Sequence, residues 1–279
     1  MRRLVQKIVG LAGLMGFDLR RFFQFIRNMP RFVQAMLKFR AMSRNDKPPF
    51  RVSELFPILY DFDQPAGTAQ GHYFYQDLWA ARKIYAARPG VHIDIGSRVD
   101  GFVAHLLTFM PVKVIDVRPL ISTVDGLTFM QGDATCLSDI PDNSVESLSS
   151  LHAIEHFGLG RYGDPIDPAA CFKAMRELAR VLKVGGHLYF SVPIGVERVQ
   201  FNAHRVFAAS TILRTFKSLE LISFSAVGDQ GEFHDNANPD EFAGARLACG
   251  LFEFGKTSPT LPGDRDDRDC PHPSTLYVA

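Results

Sequence analysis

VKVIDVRPL at residues 112–120 follows VHIDIGS at 91–97, with only a short helix's worth of chain between them. Each is an apolar run carrying one acid, Asp94 in the first and Asp116 near the end of the second. A separation of about 20 residues suits a strand–helix–strand unit whose second strand tip presents a carboxylate to a ribose diol. The diol offers two donors, and a carboxylate has two oxygens to receive them. Asp133, in FMQGDA at 129–134, falls where a third strand would end. Three acid-tipped strands imply an adenosine pocket on a nucleotide-binding sheet.

Working outward, the pattern predicts a helix over 73–87 closed by Pro89-Gly90, then a strand at 91–95 with a turn at Gly96-Ser97. A helix then runs to Met110 and stops at Pro111. Further strands are expected at 112–117, 127–131, 145–151, 187–192, 219–227 and 248–255, with helices at 168–183 and 208–217. The stretch from Arg118 to Gly126 is short for a crossover, so the second helix shrinks to a single turn. Alternating strands and helices define an α/β class: a Rossmann-like, mostly parallel, doubly wound sheet with ligands at the carboxyl ends of its strands. The last two strands come close together, which permits an antiparallel edge.

Hydrophobic content of 46% and charged content of 22% are those of a globular chain, and 279 residues suffice for one large domain plus an appendage. The net charge of +1 argues against nucleic acid as a partner but hides an asymmetry. Residues 1–47 carry Arg2, Arg3, Lys7, Arg20, Arg21, Arg27, Arg31, Lys38, Arg40, Arg44 and Lys47 against Asp18 and Asp46, a net of +9. The remainder is therefore −8. IVGLAGLMGF after MRRLVQK imitates a signal peptide, yet DLRRFF stands where a small-residue cleavage site belongs, and the run is too short to span a bilayer. Phe22, Phe25, Ile26 and Met29, then Phe32, Val33, Met36 and Leu37, fall at helical spacing, with Pro30 separating the two stretches. Such stripes flanked by arginines suit an anionic membrane surface, or else a helical pair packed on the main domain.

The expected organisation is a basic amphipathic helical extension at 1–47, a Pro-rich linker at 48–71, the α/β domain at 72–258 and a charged tail at 259–279. Cys136, Cys171, Cys249 and Cys270 show no CxxC spacing. That excludes a zinc ribbon and a disulfide framework and points to a reducing cytoplasm, with the basic extension allowing peripheral association with the inner membrane face.

An acid-x-Gly after strand one, an acid at the tip of strand two, Gly-Asp after strand three and LARVLKVGGHLYFSVP at 178–193 together resemble class I S-adenosylmethionine-dependent methyltransferases. The likeness covers 91–193 closely. HYFYQDLW, DIGSRVDGF, SLHAIEHFGLGRYGDPID and FNAHRVF resemble more closely still a family known only as a domain of unknown function, itself methyltransferase-like. The resemblance implies S-adenosylmethionine as cofactor, held by Asp94, Gly96, Ser97, Gly101, Asp116 on the ribose and Asp133 on the adenine amino group. The family's next two glycine positions are here Arg98 and Asp100, which alters the methionine end of the pocket. Strand-end carboxylates that merely cap a following turn are the plain alternative.

HAIEH at 152–156 reads literally as H-x-x-E-H, a zinc-hydrolase string, but a strand ends just before it and Gly158 and Gly160 follow at once. No further metal ligand is signalled, so the metal set is empty. In the resemblance this segment borders cofactor and acceptor, which makes His152, Glu155 and His156 catalytic candidates; buried imidazoles at a capped turn are the alternative. His204, in FNAHRVF after strand five, is a fourth, because a histidine titrates near neutral pH. In FGLGRYGDPIDP, Arg161 and Asp164 are expected to meet the acceptor, whereas Asp167-Pro168 would start a helix as N-cap and first residue. The expected reaction is methyl transfer to an oxygen or nitrogen of a small-molecule or glycan acceptor. A non-catalytic Rossmann-like scaffold, an oxidoreductase lacking GxGxxG, and a zinc hydrolase are the alternatives.

Overall fold

The computed structural model describes Gly16, residues 18–46 and residues 52–259. The apolar run near the N-terminus and the charged C-terminal tail lie outside the described residues. The chain forms two compact units, Met1–Thr68 and Ala69–Ala279.

The first unit is built on α1 (Leu19–Asp46), one continuous helix rather than two stretches divided at Pro30. A proline inside a helix removes one N–H and leaves the carbonyl four residues earlier unpaired, at about 3 kcal/mol. Ile26 is exposed, so water can reach that region of the helix. The Pro-rich stretch forms no helix or strand between 52 and 68, but it is tied to α1. Asn28 Nδ2 donates to the carbonyl of buried Leu59 (2.6 Å), and Arg27 and Arg31 both pair with Asp63 (3.1 and 3.4 Å). Among the described residues no helix is long and apolar enough to cross a membrane.

The second unit is an eight-stranded mixed sheet. Its strands are β1 (His92–Ile95), β2 (Val112–Asp116), β3 (Leu127–Gln131), β4 (Val145–Leu151), β5 (Leu182–Ile194), β8 (Glu220–Val227), β9 (Phe233–His234) and β10 (Ala248–Gly255). A separate hairpin pairs β6 (Arg198–Gln200) with β7 (His204–Val206). The order across the sheet is β3-β2-β1-β4-β5-β10-β8-β9. From β3 to β5 every pairing is parallel, and β10 runs antiparallel to both β5 and β8. This is the class I methyltransferase type of sheet.

Helices cover both faces, as a parallel sheet requires. On one side lie α2 (His72–Ala87) and a helical segment whose π-turn, Val99–Val103, runs into α3 (Ala104–Leu106). Trp79, Ile84, Phe102 and Leu106 pack there on Val112, Val114 and Leu251. On the other side α4 (Ala170–Val181) and α5 (Ala209–Thr215) pack Met175, Leu178 and Ile212 on Ile95, Ile115 and Phe190. Alternation along β5 serves both layers, with Leu188, Phe190 and Val192 facing one way and Tyr189 the other.

Several expectations need correction. The last two expected strands do pair antiparallel at one end of the sheet, but out of chain order: β10 is inserted between β5 and β8, and the short β9 is the edge. The helix expected up to Met110 ends at Leu106, and no helical turn forms between Arg118 and Gly126. Strand β5 begins five residues early because Leu182 already pairs with Val145 of β4, the register then shifting before Ser147 meets His187. Gly185, at φ +78°, makes that bend, and a Cβ on Gly186 would stand 2.9 Å from the Glu146 carbonyl. Helix α4 starts at Ala170, so Asp167 is not its N-cap; the Asp167 carboxylate instead accepts from Ala169 N (2.8 Å) in the preceding turn. Cys171 and Cys249 are free and buried, whereas Cys136 is disulfide-bonded, a departure from the fully reduced set expected.

Candidate functional site

The carboxyl ends of β1, β2 and β4 open into two adjoining clefts. The first, about 400 Å³, is lined by Gly96, Asp116, Asp133, Ala134, Thr135, Phe157 and Lys173 among others. The second, about 770 Å³, is lined by His72, Tyr73, Ser97, Arg98, Asp100, Glu155, Arg161 and His204 among others. Gly96, Asp116, Arg118, His152, His156 and Tyr162 border both. The strand tips thus bring most of the expected residues to one place, in two compartments.

The three acids do different things. Asp94 is fully buried and lines neither cleft. Its Oδ1 accepts from the Ser97 and Ser149 hydroxyls and its Oδ2 from Ser97 N–H (3.0 Å), while burial pushes its pKa up to about 6. The Ser97 hydroxyl also accepts from Leu151 N–H (3.0 Å), so Asp94 and Ser97 lock the β1 turn to the end of β4. Gly96 adopts φ +69°, and a Cβ there would stand 3.1 Å from that of Ala153. The turn therefore presents bare backbone to the cleft. Gly101 lies away from both clefts, over Asp77: a Cβ on it would fall 2.6 Å from the Asp77 carboxylate. Its expected cofactor contact is corrected to a packing role.

Asp116 faces the clefts, but its carboxylate is held by the residue two positions on. Arg118 donates through backbone N–H and Nε to Oδ1 (2.8 and 3.0 Å) and through Nη2 to Oδ2 (2.7 Å). The Arg118 guanidinium also sits 4.4 Å over the Tyr162 ring. Asp133 accepts from Thr135 N–H (2.8 Å) and lines the smaller cleft.

HAIEH forms no long helix; β4 ends at Leu151 and only a single 3-10 turn follows, Ile154–His156. Among the described residues no group of three or more His, Cys, Asp or Glu side chains is placed to hold a metal. His152 has positive φ (48°), and its backbone N–H donates to Ser191 Oγ (3.1 Å), whose own proton goes to Gln76 Oε1. Ser191 Oγ therefore accepts from His152 Nδ1 (3.2 Å), leaving Nε2 as the unprotonated nitrogen. Burial pushes His152 down to about 3.

His156 Nδ1 lies 2.6 Å from the Ala203 carbonyl, which only accepts, so this nitrogen carries the proton and Nε2 holds the lone pair. Burial lowers its pKa to about 4, with Arg161, His204 and Arg118 adding positive field. Its Nε2 is 3.6 Å from Glu155 Oε1. Glu155 is 1% exposed, and burial pushes its carboxyl up to about 8, against the opposing pull of Arg161. Its Oε2 and the Nε2 of His204 are buried without a hydrogen-bond partner. Both residues line the larger cleft.

The loop after His156 is organised by Asp164. Its Oδ2 accepts from Gly158 N–H and Gly160 N–H (2.7 and 3.4 Å), and its Oδ1 from Tyr162 N–H (3.1 Å). Asp164 lines the smaller cleft, but its carboxylate serves the loop's own backbone. Arg161 lines the larger cleft and donates from Nη1 to the Ala203 carbonyl (2.9 Å). Arg118, Tyr73 and His72 border the site without having been singled out in the sequence. The Asp-x-Arg spacing at 116–118 was the available signal for the first, and HYFYQDLW for the other two.

The fold is of the class I methyltransferase kind. Residues 140–236 match the model of a family described as "Caenorhabditis protein of unknown function, DUF268". Among curated proteins no match to the chain is found. Similar solved structures include the YcgJ protein of Bacillus subtilis (15% identity, TM-score 0.48, covering 66% of this chain and 99% of that one). The N-methyltransferase NodS of Bradyrhizobium japonicum, solved with S-adenosylhomocysteine, is 14% identical (TM-score 0.47, 70% and 93% covered). The 1,6-didemethyltoxoflavin N1-methyltransferase of Burkholderia thailandensis, also solved with S-adenosylhomocysteine, is 14% identical (TM-score 0.47, 66% and 79% covered).

Proposed function

We propose that the chain is an S-adenosylmethionine-dependent methyltransferase acting on an oxygen or nitrogen of a small-molecule or glycan acceptor. The observation that carries this reading is the pairing of Asp116 and Asp133 at neighbouring strand tips on one cleft, beside the bare backbone of Gly96. In that reading Asp116 receives the ribose hydroxyls, Asp133 the adenine amino group, and Asp94 acts at one remove by holding the β1 turn. When bound, the cofactor supplies an electrophilic methyl whose leaving group departs as a neutral thioether. The protein's task is then to orient the acceptor and exclude water.

For a hydroxyl acceptor, His156 is the best-placed base. Its proton is fixed on Nδ1 by Ala203, so Nε2 is free to take one. Glu155, protonated at neutral pH, donates to the acceptor's oxygen, and His204 Nε2 offers a second polar contact. An amine acceptor needs a base only to keep it neutral.

A non-catalytic scaffold is the second reading, favoured by one observation: Arg118 already chelates the Asp116 carboxylate. Calorimetry on the full chain separates the two. Under the methyltransferase reading, S-adenosylhomocysteine binds, and Asp116→Ala weakens it by about 1.5–3 kcal/mol, on the order of tenfold or more, as expected for a lost charge-assisted contact. Equal affinity of the folded wild type and variant would remove the ribose assignment, and no binding by either would favour the scaffold.

A further inference from the structure

The larger cleft has an electrostatic composition that the methyl-transfer reading does not by itself explain. Two of its acids are neutralised by neighbours, Asp100 by Arg98 (3.2 Å) and Asp116 by Arg118 (2.7 Å). Arg161 forms no ion pair among the described residues. One of its five N–H donors is anchored on the Ala203 carbonyl, which fixes the guanidinium at the cleft wall and leaves the others available. The same Nη1 lies 3.4 Å from His156 Nδ1, so this cation sits beside the imidazole whose Nε2 is open. The same cleft is lined by Glu155 and His204, whose Oε2 and Nε2 are buried without partners.

We propose that this cleft is an acceptor site for a small hydroxylated anion, a carboxylate or phosphate ester, whose charged group binds Arg161 while a nearby hydroxyl meets His156 Nε2 and Glu155 Oε2. As an acceptor site it rests on the methyl-transfer reading; as an anion site it does not. A guanidinium presents parallel N–H groups that match either anion bidentately, which a lysine would not. Burial keeps Glu155 protonated and His152, His156 and His204 neutral, so none of them cancels or adds to the charge on Arg161 at neutral pH. Because Arg161 and His156 are in contact, the anion and the reacting hydroxyl belong to one molecule and lie only a few bonds apart.

The test is calorimetric titration of the full chain, with and without saturating S-adenosylhomocysteine, using inorganic phosphate, glucose 6-phosphate, glucuronate and glucose. The charged probes are expected to bind, and glucose at least about tenfold more weakly; Arg161→Gln should lower the affinity of the charged probes by about tenfold or more. Arg161→Lys should recover part of that loss, and unchanged S-adenosylhomocysteine affinity in both variants shows that they are folded. Whichever of glucose 6-phosphate and glucuronate binds more tightly identifies the anionic group. Glucose binding as tightly as the charged probes, no binding of any charged probe at millimolar concentration, or equal anion affinity in wild type and Arg161→Gln would each overturn the proposal. Arg161-dependent phosphate binding without any S-adenosylhomocysteine binding would sustain the anion site and remove the cofactor reading.

Discussion

Glu155→Gln isolates the energetic consequence of burying an acid in the larger cleft. The carboxyl is 1% exposed, and burial raises its pKa from 4.5 to about 8. A folded state that holds the proton more tightly than the unfolded one is favoured by this group below about pH 4.5, and that contribution is lost as pH rises through 8. At 1.36 kcal/mol per pH unit for one proton, the total loss is about 5 kcal/mol. The window from pH 6.5 to 8 is the cleanest. His92, His152 and His156 are pushed down to between about 3 and 4 in the folded state but titrate near 6.5 when unfolded, so they stabilise both proteins alike as pH rises, and that common gain cancels between them. Asp94, at about 6, is by then ionised in both. Across this window the wild type should therefore lose about 2 kcal/mol of stability relative to Glu155→Gln, which keeps the shape of the protonated acid but cannot ionise. Urea unfolding of both proteins at pH 6.5 and 8.0 measures the difference. Any constant cost of placing the amide there cancels in that comparison. A stability gap between the two proteins that is the same at both pH values would refute the burial argument and with it the protonated state assigned to Glu155.

Gly158→Ala should destabilise the second unit by about 2–3 kcal/mol in urea unfolding, because φ is +74° and the new Cβ would lie 1.9 Å from the Asp167 carbonyl; a change under about 0.5 kcal/mol would show that the loop relaxes freely. For the first unit we expect the full chain to float with anionic vesicles at low salt and to detach at high salt, each basic residue near the surface contributing about 1 kcal/mol. Lys38→Glu combined with Arg40→Glu should weaken that association more than tenfold, as both side chains are exposed on α1; a wild-type chain that stays soluble at low salt removes the membrane idea.

The start of the parallel half was legible because β1 and β2 lie in short, largely apolar runs bounded by proline, glycine or an acid. The C-terminal half was less so. ACGLFEFG at 248–255 lacks the polar–apolar alternation of an edge strand, and that absence was the sign of a strand covered on both faces. The hairpin of β6 and β7 has three residues per strand, too few for any periodicity to register. In the site, residue types at strand tips were readable, whereas their hydrogen-bond partners were not. Asp164 and Asp116 both looked like free ligands, yet one is bound by its own loop and the other by Arg118. Which atom of a carboxylate is already occupied depends on backbone geometry, which composition and spacing do not encode. The orphaned Glu155 Oε2 was invisible for the same reason, although the HAIEH string drew attention to the right residue.

The position of β10 bears on how the chain reaches this state. Its eight residues are all buried, and they bridge β5 and β8 through partners such as His187 for Gly255 and Val227 for Cys249. Until residue 255 has been synthesised, β5 and β8 each present an unpaired apolar edge, the kind of surface that templates pairing with other chains. Closing that gap joins segments far apart in sequence, a slow kind of contact to form. Assembly of the sheet is thus completed by one of its last-made strands. A chain interrupted anywhere before β10 would keep every strand tip of the candidate site, yet lack the central plank that joins the two halves of the sheet.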